Sequence, residues 1–131
     1  MGLDMYAFIV DADKVGDAVV DVRLGGQAGD EETQISYWRK FNALHGWMED
    51  LYRQKGGSKA SFNCTTVRLT ANDLDRLEMD VGANKLVPRS GFFFGDTSTI
   101  YPEDLESVAD FVKLARQAIS DGKAVFYDSW W

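Results

Sequence analysis

Cysteine, histidine and proline are scarce in this chain: one, one and two in 131 residues. A single thiol, Cys64, excludes an internal disulfide, and a reducing, cytosolic setting is the simplest expectation. Long apolar runs are missing too. Met5 to Val10 is far too short to cross a bilayer. No basic stretch followed by a long apolar one opens the sequence, so a secretory leader is not expected. Bases are outnumbered by acids, 14 to 21, for a formal charge of −7. Nonspecific binding to nucleic acid or an anionic membrane needs a basic face, so neither is expected. The charge is uneven: residues 1–38 carry −6, residues 39–100 carry +2 and residues 101–131 carry −3. A small basic pocket in the middle segment stays compatible with that distribution.

What the chain does have is rings. Aromatic content is 13% against an ordinary 45% hydrophobic content, so the core or a pocket is ring-rich. The length suits one domain with one core, and no interdomain linker, repeat or low-complexity tract divides residues 1–131.

In chain order, Leu3 to Val10 reads as a buried strand. Asp11 to Asp17 reads as an acidic hairpin turn; its likeness to a calcium loop fails at Val15 and Val22, where ligands are required. Ala18 to Leu24 reads as a second strand. Gly25 to Gly29 is a loop without the Gly-Lys-Ser/Thr ending that cradles phosphate. One long helix is expected from about Glu31 to Gln54, closed by Lys55-Gly56-Gly57. Ser61 to Leu69 reads as a third strand. Thr70-Ala71-Asn72-Asp73 resembles a capping box ahead of a short helix that ends at Gly82. Gly91 to Gly95 reads as a short strand bracketed by glycines. Pro102 opens a third helix, broken at Asp121-Gly122, and Lys123 to Asp128 is a closing strand. The order predicts an α+β single domain, with a mostly antiparallel sheet of about five strands, one long helix and two shorter ones.

The stretch Tyr37 to Trp47 carries two of the four tryptophans, the sole histidine and an Arg-Lys pair. On a helical period, Tyr37, Phe41, Leu44, Met48 and Leu51 form a core stripe. Trp38, Asn42, His45, Glu49 and Tyr52 fall on the stripe beside it, where rings mix with hydrogen-bonding groups.

Four motifs together resemble a family of small uncharacterised phage and prophage proteins: Met1-Gly2-Leu3-Asp4-Met5-Tyr6; Tyr37-Trp38-Arg39-Lys40-x-Asn42-x-x-His45-x-Trp47; Pro88 shortly before Gly91-Phe92-Phe93-Phe94-Gly95; and Tyr127-Asp128-Ser129-Trp130. The likeness spans nearly the whole chain. It departs at Phe41, where a small residue is expected, and at Asp128-Ser129-Trp130-Trp131, where Gln-Ser-Ser-Trp is expected. The resemblance implies a phage source and a role in the host cytoplasm, and brings no activity with it.

For chemistry, His45 and Glu49 are one helical turn apart and would share a metal only with further ligands that no spacing supplies. Cys64 and Ser129 lack a nucleophile motif around them. No catalytic residue, metal or cofactor is therefore expected. The expected site is a ligand pocket. In it Trp38, Phe93 and Trp130 stack on a planar group, Arg39 and Lys40 meet an anion, and Asn42, His45 and Ser129 read an edge. On that basis the leading expectation is a non-enzymatic phage accessory protein that sequesters a small anionic, nucleotide-like ligand in counter-defence. The alternative is an acidic protein that binds and blocks a host protein, as a DNA mimic would. A small enzyme using His45 ranks third, and a homo-oligomer stays open. If His45 reads a ligand, removing it leaves the melting temperature nearly unchanged.

Overall fold

The computed structural model describes residues 3–20, 33–39, 41–60, 62, 65–83, 86, 90–91, 95–96 and 102–130. The elements run β1 Asp4–Asp11, α1 Ala12–Val15, β2 Thr33–Arg39, α2 Asn42–Gln54, β3 Val67–Leu69, α3 Ala71–Gly82, β4 Ser90–Gly91, β5 Gly95–Asp96, α4 Pro102–Ser120 and β6 Lys123–Trp130. This is an α+β fold. Its main sheet has four strands in the order β2-β1-β6-β3, every pair antiparallel, and β4 and β5 pair separately. The expected antiparallel sheet is there, with four strands rather than five.

The expected long helix is two elements. Thr33 to Arg39 is a strand and the helix begins at Asn42. Thr33, Ile35, Tyr37 and Trp38 are β-branched or aromatic, residues that suit a pleated surface. In β2 Tyr37 and Trp38 turn to opposite faces: Trp38 stands opposite Met5 and Tyr37 opposite Tyr6. Tyr37 fitted the helical stripe by coincidence of spacing. Within α2, Leu44, Met48 and Leu51 are buried, so that part of the stripe is real core. The longest helix is instead α4, with 19 residues against 13 in α2.

Other boundaries move for local reasons. Asp11 to Asp17 makes one helical turn, α1, which Gly16 ends at φ 56°. Val20 bridges Val67 and Val19 accepts from the Arg68 amide, while residues 21–24 of the expected second strand lie outside the described residues. The expected third strand contracts to Val67–Leu69. Gly91 and Gly95 do not bracket one strand. They pair with each other across β4 and β5, and residues 92–94 between them lie outside the described residues.

The caps follow the sequence more closely. Asp73 accepts from the Thr70 amide at 2.8 Å and the Thr70 hydroxyl at 2.9 Å, so Asp serves where the capping box usually has Glu. The same carboxylate meets Lys55 Nζ at 2.5 Å, and Lys55 also donates to the Arg68 carbonyl. One ammonium thus joins the end of α2 to β3 and to the start of α3. Pro102 is the first residue of α4, and Gly122 at φ 85° follows its end.

Alternation along the strands sorts the sheet into two faces. Met5, Ala7, Trp38, Val67, Leu69, Val125 and Tyr127 join the main core with the buried residues of α2, α3 and α4. Val10, Ala124 and Phe126 point the other way, into a small cluster with Phe8, Ala12 and Val15.

Candidate functional site: two faces of one sheet

The sheet separates the residues expected to form one pocket. Asn42, His45 and Ser129 lie on the core side, each at most 2% exposed. α2 delivers Asn42 and His45 from its first turn, and β6 delivers Tyr127 and Ser129 from one face of the strand. His45 Nδ1 lies 2.6 Å from the Tyr127 hydroxyl. Phe62 packs 5.0 Å from the His45 ring, stacks on Tyr127 at 5.9 Å and also meets the Tyr52 ring at 5.2 Å. Burial pushes the Tyr127 phenol well above its ordinary pKa; Asp128 pushes the same way and the Ser129 hydroxyl pulls back. Tyr127 is therefore a neutral phenol, and its bond to His45 fixes the imidazole's orientation. The Ser129 hydroxyl is close enough to act on the phenol but makes no bond of hydrogen-bond geometry among the described residues.

Trp38 is also on the core side, but it faces α4. Its indole donates to Ser107 Oγ at 2.9 Å and its ring meets the edge of Phe111 at 5.2 Å. Ser107 in turn donates to the Asp104 carbonyl. Trp38 ties β2 to α4. Trp47 does the same for α2 and α3 by donating to Asp80 at 2.8 Å.

Arg39 and Trp130 lie on the opposite face. The register there forms a grid. One row reads Arg39, Asp4, Trp130 and the next Tyr37, Tyr6, Asp128. Further along, Phe8 and Phe126 are partly or fully covered by the turn of α1, and Arg68 donates to the Gly16 carbonyl at 2.7 Å, holding the segment after α1 over that end. The first two rows make a window: Tyr37 is 50% and Trp130 64% exposed. Tyr6 sits 5.4 Å from Tyr37 and stacks on Phe8 at 5.9 Å. The Tyr37 hydroxyl donates to Asp4 at 2.7 Å, and Arg39 Nε stands 3.9 Å from the same carboxylate. Asp128 accepts from the Ser129 amide at 2.8 Å. Burial holds its carboxyl above the usual range, against the opposing pull of that amide and of Lys59.

Lys40 and Phe93 lie outside the described residues. The sequence reading missed Tyr127 as the partner of His45 and the pairing of Tyr6 with Asp128. The signal was the alternation of residues 123–130, which puts Tyr127 and Ser129 on one side and Asp128 and Trp130 on the other. A shallow cleft of about 500 Å³ lies between α3 and α4, lined by Glu78, Lys113, Arg116 and Gln117. Its Arg116 is already held by Asp75 and Glu78, which keep the guanidinium charged and occupied. Among the described residues no three His, Cys, Asp or Glu side chains gather around a common point, and no helix is long and apolar enough to cross a membrane.

No family model, curated protein or solved structure matches this chain.

Proposed function

We propose that the chain is a non-enzymatic binding protein that captures a host protein on the window of its sheet, as a phage accessory factor in the host cytoplasm. One observation carries the reading. Rings that a single domain normally buries, Tyr37 and Trp130, stand at least half exposed beside two carboxylates on a sheet whose other face packs the main core. Exposed aromatic residues grouped with polar neighbours are the usual anchors of protein interfaces. The chain's charge of −7 favours a partner with a basic contact segment. It also disfavours a second copy of the chain, which would bring the same charge again.

A second reading retains the small nucleotide-like ligand, held between α2 and β6. The buried Ser129 hydroxyl, next to the Tyr127 phenol that His45 holds, favours it. The two readings differ in where binding occurs. A photo-crosslinking residue placed at Tyr37 or Trp130 in the host cell should trap one host protein, identified by mass spectrometry. The same group at Met79, an exposed apolar residue on α3, should not. Equal trapping at both places would sink the docking reading. Calorimetric heat with a nucleotide, lost in a Ser129→Val variant of unchanged fold, would establish the second reading instead.

A further inference from the structure

The window contains one completed charge pair and one incomplete copy of it. On the β2 side a carboxylate, Asp4, meets a ring hydroxyl, Tyr37, and a guanidinium, Arg39. On the β6 side a second carboxylate, Asp128, stands opposite the Tyr6 ring and two residues from Trp130 on the same face. No basic side chain closes an ion pair with Asp128 among the described residues; Lys59 acts on it only through space. A carboxylate among rings, partly withdrawn from water, gains more from a bound cation than a fully solvated one does. Arginine suits the place better than lysine. A guanidinium is planar, lies flat on tyrosine and tryptophan, forks to a carboxylate and is the more weakly hydrated cation. Size agrees. Three strands and two rows of residues span roughly 10 Å by 7 Å at ordinary strand spacing, which fits one side-chain head and not a nucleic-acid duplex.

We propose that Asp128, with Tyr6 and Trp130, receives a single arginine side chain of the protein partner, reproducing with an external guanidinium the arrangement that Arg39 makes with Asp4. This rests on the docking reading above and names the chemistry of its anchor.

The test is a display library of short random peptides selected in parallel on the parent protein and on Trp130→Ala. Peptides enriched on the parent alone should share an arginine. Replacing that arginine by citrulline, which keeps the shape and removes the charge, should weaken binding to the unaltered protein at least tenfold. Asp128→Asn, which retains an oxygen to accept from the Ser129 amide, should cause a similar loss of binding without lowering the melting temperature. Peptides that depend on Trp130 but bind equally well with citrulline overturn the arginine anchor and leave the docking reading standing. No Trp130-dependent enrichment overturns both. Because the citrulline comparison uses the unaltered protein, a folding defect in Asp128→Asn does not rescue the proposal.

Discussion

β6 places Tyr127 and Ser129 on one face of the sheet and Asp128 and Trp130 on the other, one residue out of step. The two sets contain the same chemistry: rings, a hydroxyl or carboxylate, a hydrogen-bonding neighbour. Only their exposure differs. Tyr127 is fully buried, neutral, and spent on His45. Tyr37 is half exposed, bonded to Asp4 through its hydroxyl and packed against Tyr6 on one side. A mixture of rings and polar groups therefore does not by itself mark a site. The covered set joins α2 to the sheet and the uncovered set is free to meet something else.

That contrast can be broken by substitutions on each face, and the largest effect is expected deepest on the covered side. Leu44→Ala should destabilise the fold by about 2–5 kcal/mol, since Leu44 has no exposed surface and its loss leaves a cavity under α2. An unchanged thermal midpoint would place α2 in a different register.

His45→Ala comes next. The burial of His45 and its bond to Tyr127 reverse the expectation that its removal is silent. It should cost about 1–3 kcal/mol by stranding a buried phenol. A melt equal to the parent would show that the imidazole does not hold the two elements together.

Two aspartates sharpen the comparison through pH. Burial pushes the Asp73 carboxyl up, but Lys55 and Thr70 together outweigh it and hold its pKa below 3.8. Its contribution is present above the unfolded value and lost as pH falls through the folded one. Asp73→Asn should therefore be less stable than the parent at neutral pH, with the gap closing in acid. Asp128 runs the other way. Its raised pKa means the folded state prefers the protonated form, so Asp128→Asn should match the parent in acid and gain on it as pH rises through the folded value. Urea melts across the acid range check both, and gaps of the same sign would remove the distinction between a carboxylate paired in the fold and one withdrawn from water without a cation.

The smallest effect is expected at the window's rim. Trp130→Ala should change stability by no more than about 0.5 kcal/mol despite deleting a whole indole, because that side chain is 64% exposed. A large loss would move Trp130 into the packing.

Local chemistry was the legible part of this sequence. The Thr70–Asp73 cap, Pro102 at the start of α4 and Gly122 past its end depend on residues a few positions apart, and the structure has them as expected. The change from strand to helix between Arg39 and Asn42 was not legible. Tyr37, Phe41, Leu44 and Met48 keep a helical spacing straight through it, and only pairing with β1 shows Tyr37 to be on a strand. The division of the candidate residues was hidden for the same reason. Arg39 and Trp130 become neighbours of Asp4 through registers that join residues 4, 39 and 130, a relation that no local window contains.

The position of β6 inside the sheet has a consequence for how the molecule is made. Asp4 pairs with Trp130, so β1 and its inner neighbour are joined across almost the full length of the chain. Closing such a loop precedes any reward from the contacts it brings, and folds dominated by distant pairings close slowly, in milliseconds to seconds. During synthesis β1 can pair with β2 long before residues 123–130 emerge, and until then one edge of β1 presents unpaired amides and carbonyls. A nascent chain stalled short of Lys123 would hold an open hairpin ready to zip onto a strand of another molecule. Pairing with β6 is thus the step that closes the second edge of β1.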